Sequence, residues 1–119
     1  MDRAYTSPNA RIVRALKGIL PVAHYRYSGT ADNYAVFQVM NRRKSAFISG
    51  EHVLIEATVY LDIITDHDPT GENSILKKID RALADEGLHV LEINDGSHDL
   101  DLNLWHTEFV VLVEEERDE

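Results

Sequence analysis

The chain has 119 residues, 44% hydrophobic and 28% charged, which fits one domain around a single core. No apolar run approaches the roughly 18 residues needed to span a membrane, and the lack of cysteine excludes disulfides, a thiolate nucleophile and a sulfur-built zinc site. The net charge of −9 is unevenly divided: residues 1–50 carry eight Lys/Arg against two acids (+6), residues 51–119 four against nineteen (−15), so distinct charged surfaces are expected.

The N-terminal stretch lacks the long apolar core of a secretory signal, and its periodicity is expected to belong to a folded helix. Ser7-Pro8 is a helix start, with a hydroxyl acceptor at the cap and a proline where no N–H is needed. Ile12, Val13, Leu16, Ile19 and Leu20 form an apolar stripe at helical spacing, with Gly18 expected inside the helix and Pro21 ending it. Arg11, Arg14 and Lys17 are expected on the opposite face. A short strand is expected over 22–27, then a turn at Ser28-Gly29.

The β-branched and aromatic run Tyr34 to Met40 predicts a strand. "NRRKSAFISGEH" (41–52) is expected to be a polar, basic loop. Val53 to Thr65 is the clearest strand, with Ile55, Ala57, Val59, Leu61 and Ile63 on one face and Glu56, Thr58, Tyr60 and Asp62 on the other. One face then meets a core, the other water or a partner. Asn73 to Glu86 predicts a second helix, capped by Asn73 or Ser74 and ended by Gly87. Leu88 to Asn94 is a strand, "DGSHD" (95–99) a turn, and Leu104 to Glu114 the last strand, with Trp105, Thr107, Phe109, Val111 and Val113 on one face. Residues 1–6 and 115–119 are expected to fray. The fold class is α+β: a mostly antiparallel four- to five-stranded sheet against two amphipathic helices, in the order α-(β)-β-β-α-β-β.

Little in the sequence points to catalysis. "DHDPTGENSILK" (66–77) imitates the start of a calcium loop through Asp66, Asp68, Thr70 and Gly71, but Lys77 occupies the position that needs a bidentate carboxylate. A strand, not a helix, precedes it. A turn leading into the second helix accounts for the same residues. His98, Asp99 and Asp101 offer a His–carboxylate set, although a polar hairpin with alternating Leu100 and Leu102 is the better account of them. The six histidines show neither HxH nor HxxxH spacing. No GxSxG, Walker or GxGxxG motif occurs. No catalytic residue, metal ligand or cofactor is assigned. The binding candidates are Arg42, Arg43 and Lys44 beside Phe47 and Ile48, three consecutive cations suited to phosphate or an acidic partner.

The chain resembles the tail-completion and tail-terminator proteins of long-tailed bacteriophages and prophages. The resemblance is carried by "ILPVAHYRYSG" ending the first helix, "NYAVFQVMN", the alternating strand "HVLIEATVYLDIITD", the helix "NSILKKIDRALADEG" and the closing "LWHTEFVVLVEEE", over about residues 8–114. It implies a non-enzymatic ring, often of six copies, that caps the tail tube and joins it to the head. Its partners would be itself, the tail tube protein and the head-completion or connector proteins. DNA would pass through without sequence-specific binding, and no membrane would be involved. The setting would be the virion, with the host cytoplasm during assembly. Glu56, Tyr60, Asp62, Asp66 and Asp68 would then belong to a subunit or lumen surface, and residues 41–52 and 66–73 would be mobile before assembly. The competing readings are a small adaptor using the basic loop on an acidic partner, and a metal-dependent enzyme using His98, Asp99, Asp101, Asp66 and Asp68.

Overall fold

The computed structural model describes residues 7–49, 52–71 and 74–118, with backbone alone at 45–49, 52–53 and 116–118. Residues 1–6 and Asn73, for which fraying and a capping role are expected, lie outside the described residues, as do the side chains of Phe47 and Ile48.

Two helices lie on one face of a five-stranded sheet, an α+β architecture. In chain order the elements are α1 (Pro8–Leu16), β1 (Val22–His24), β2 (Tyr34–Ser49), β3 (His52–Thr65), α2 (Ile75–Asp85), β4 (His89–Asp99) and β5 (Leu104–Asp118). The sheet order is β1-β2-β3-β5-β4. Every neighbouring pair is antiparallel except β1 with β2. The long hairpin and the end of β5 draw the molecule out to 53 × 25 × 24 Å.

Helix α1 starts where the sequence indicates: Ala10 N–H donates to Ser7 Oγ at 3.2 Å, with Pro8 in the first turn. It ends earlier than expected. Leu16 is its last residue, and Gly18 turns the chain at φ +87°, a region open to glycine at little cost. Gly18 therefore terminates the helix and does not interrupt it, and Pro21 lies beyond. Leu20 still reaches the core from the turn. In α2, Ser74 holds the cap position without a side-chain hydrogen bond.

The core is the face between helices and sheet. Ile12 and Leu16 of α1 and Ile79 and Leu83 of α2 meet Phe37 of β2, Ala57, Val59, Leu61 and Ile63 of β3, and Phe109, Val111 and Val113 of β5. These β3 and β5 residues are the inward set that strand alternation predicts. Burying each of the larger ones is worth about 1.5–3 kcal/mol, which compensates for the low intrinsic stability of helices this short.

Four expectations are corrected. Residues 41–49 are not a loop but the outer half of β2, paired with β3 through Asn41↔Thr58, Arg42↔Ala57, Arg43↔Glu56 and Lys44↔Ile55, with bulges on either side. The segment is held as strand by its backbone ladder with β3, and acids lie within reach of its cations: Arg42 reaches Glu115 of β5 at 2.7 Å and Arg43 reaches the facing Glu56 at 3.7 Å. The first strand stops at His24, where Tyr25 takes φ 72°. "DGSHD" is not a turn. β4 runs to Asp99 across a bulge between Asn94 and Ser97, and the reversal occupies residues 100–103. Gly96 permits this, since a Cβ there would lie 2.5 Å from the His106 carbonyl oxygen. Finally, β5 continues past Glu114 to Asp118, where it pairs with His52, so residues 115–118 are strand.

Candidate functional site

The sheet face turned away from the helices is uncovered by any described element, and strand register lays it out in rows. Val36, Asp62, Glu108 and Asn94 form one row across β2, β3, β5 and β4. Gln38, Tyr60, Val110 and Glu92 form the next, then Asn41, Thr58, Leu112 and His89, then Arg43, Glu56 and Glu114. Val36, Tyr60, Val110 and Leu112 are half-buried by their neighbours, so the face is apolar along its middle and acidic around it. A groove of about 480 Å³ at one end is bounded by Asn41, Arg43, Glu56, Thr58, Leu91 and Leu112. Leu91, on the edge strand beside it, is 57% exposed.

Two carboxylate pairs oppose each other directly on this face, Asp62 with Glu108 and Glu56 with Glu114. Like charges at facing positions are destabilising. Neighbours relieve part of that cost. Asn94 Nδ2 donates to Glu108 Oε1 at 3.0 Å and lies 3.4 Å from Glu92 Oε2. His89 Nε2 lies 3.1 Å from Glu114 Oε1. Asp62 is less well compensated. Partial burial pushes its pKa above the ordinary aspartate value, Glu108 pushes it further, and His106 opposes the shift.

Glu56, Tyr60 and Asp62, expected on a subunit or lumen surface, are thus brought together here. Asp66 and Asp68 are not. They occupy the turn after β3, where Asp66 Oδ1 lies 2.7 Å from His67 Nδ1 and Asp68 Oδ1 accepts from the Thr70 amide at 3.0 Å and the Thr70 hydroxyl at 2.7 Å. Those two hydrogen bonds hold the Asp68 carboxyl below its ordinary pKa, with His67 and His98 assisting. The geometry is a side-chain-closed turn leading into α2.

The His98–Asp99–Asp101 set is likewise taken up by the second hairpin. Asp99 Oδ1 accepts from the amides of Asp101 (3.0 Å) and Leu102 (3.1 Å). His98 stacks on Trp105 with ring centroids 3.9 Å apart, and its Nε2 lies 3.0 Å from Asn103 Oδ1. Among the described residues, no three His, Asp or Glu side chains converge as a metal site, and no helix is long and apolar enough to cross a membrane.

The basic run Arg42-Arg43-Lys44 is split by strand alternation. Arg43 joins the uncovered face, whereas Arg42 points to the helix side beside Glu115. Glu108, Val110 and Leu112 complete the uncovered face and were not singled out from sequence. Alternation in β5 implies their direction, but their adjacency to Asp62, Tyr60 and Thr58 appears only once β5 is known to lie beside β3. No protein-family model matches the chain, and no curated protein matches it.

Proposed function

We propose that this chain is a non-enzymatic structural subunit of a bacteriophage tail, one that completes or terminates the tail tube and joins it to the head as a ring of identical copies. The observation that carries this reading is the uncovered sheet face. Half-buried apolar side chains run along its middle, and two opposed carboxylate pairs flank them. Such a surface is costly to leave against water and gains from a partner.

In this reading the subunit contacts itself, the tail tube protein and the head-completion or connector proteins, and DNA passes through the ring without being read. The ring is preferred over an adaptor that grips an acidic partner with its basic run, because Arg42 and Arg43 already face Glu115 and Glu56 within the chain.

Light scattering of the protein alone and with purified tail tubes tests it. Ring-sized particles, or binding confined to one end of the tube, are expected. A protein that stays monomeric and ignores tubes of the cognate phage overturns the proposal.

A further inference from the structure

We propose that the uncovered sheet face is covered by the helix layer of a second copy of this chain, in a head-to-tail contact. The helix layer complements that face in both polarity and charge. Its outer side presents Val13, 46% exposed, in α1, and the exposed cations Lys77, Lys78 and Arg81 in α2, with Lys17 just past the end of α1. The apolar middle of the sheet face, Tyr60, Val110 and Leu112, suits Val13 and the methylene stems of the lysines. The carboxylates of Asp62, Glu108 and Glu92 suit their charged heads. Asp80 and Asp85 dilute the positive side, and Arg43 the negative one, but each surface keeps its sign.

The helix layer, with helices of nine and eleven residues and so about 14–17 Å long, is shorter than the 53 Å axis and matches the middle rows of the sheet face, where Tyr60, Val110 and Leu112 lie. The two surfaces lie on opposite sides of one sheet. A copy that uses one still presents the other, so the contact is heterologous and builds a ring where the rotation between copies closes and an open stack where it does not. A twofold dimer of sheet faces would instead bring carboxylates against carboxylates.

The contact takes its biological setting from the ring reading, but its test needs no tail tubes. Charge reversal is made on each side separately, Glu92→Lys with Glu108→Lys on the sheet face, and Lys77→Glu with Arg81→Glu on α2, and then in one chain together. Circular dichroism and thermal melts check that each variant is folded, and sedimentation at low salt reads self-association. Each single-sided variant should associate at least tenfold more weakly than the unmodified protein, and the combined variant should recover. Added salt should weaken the unmodified protein. Association untouched by either reversal, weakened association that the combined variant does not restore, or an unmodified protein monomeric up to about 1 mM, overturns the contact. Tail-tube binding is scored separately. Restored association in a protein that ignores tail tubes keeps the contact and removes the tail function. Tube-end binding by a protein indifferent to the reversals does the reverse.

Discussion

Arg11 should be among the most consequential polar side chains in the protein, although its sequence position suggests a solvated cation. It sits on α1, yet its guanidinium turns toward the sheet. Nη1 donates to the Glu114 carbonyl oxygen at 2.8 Å and Nη2 to the Glu86 carbonyl oxygen at 3.0 Å. One side chain thus ties α1 to the end of α2 and to β5. Replacing it with methionine keeps much of the stem packing and removes both donors. A hydrogen bond from a charged group is worth about 1.5–3 kcal/mol net. Both bonds here are only partly buried, so the lower end applies. Some of that loss is returned by water reaching the carbonyls. Arg11→Met should therefore cost about 2–3 kcal/mol, roughly a 10 °C fall in Tm for a domain of this size. Arg11→Lys, with a single ammonium in place of a two-pronged group, should lose about half as much. Urea denaturation with an unchanged slope is the assay. A methionine variant within about 0.5 kcal/mol of the parent, the size of an ordinary surface change, would refute the idea that this guanidinium staples three elements.

Two carboxylates should respond to pH in opposite directions. Asp62 has a raised pKa in the folded chain, so the folded state holds its proton to higher pH than the unfolded state does. The parent should lose stability as pH rises from the ordinary aspartate range through the folded value, and Asp62→Asn should remove that slope and gain a few tenths of a kcal/mol at pH 7. An asparagine variant less stable than the parent at pH 7 would contradict this, and the same variant should bind a second copy less well. Asp68 has a lowered pKa, so its contribution is present above the ordinary aspartate range and fades as pH falls through the folded value. Urea midpoints of Asp68→Ala should lie below the parent's at neutral pH and converge with them in acid. A gap of constant size across that range would show that the Thr70 hydrogen bonds do not favour the charged form.

Local order was accessible from the residues alone. The stripe of Ile12 and Leu16, the stripe of Leu76, Ile79 and Leu83, and the alternation from Ile55 to Ile63 each arise within one element, where the helical or strand repeat sets which side chains share a face. The two-layer α+β class follows from such one-sided elements needing a common core. Ser7-Pro8 likewise acts through neighbours a few residues away.

What the residues could not disclose depends on partners distant in the chain. The parallel pairing of β1, the place of β5 between β3 and β4, and the extension of β2 through Arg42, Arg43 and Lys44 are set by which edges meet. That choice is decided by the packing of the whole core, within which Glu56 of β3 and Glu115 of β5 come within reach of Arg43 and Arg42. The same holds for the uncovered face. Asp62 was visible as an outward acid, but its confrontation with Glu108 exists only in the β3–β5 register. A one-residue slip would send every one of those side chains to the other side. Composition and periodicity determine which surfaces each element has; the tertiary structure alone decides which of them are left without a partner, because burial is a property of the assembled layers.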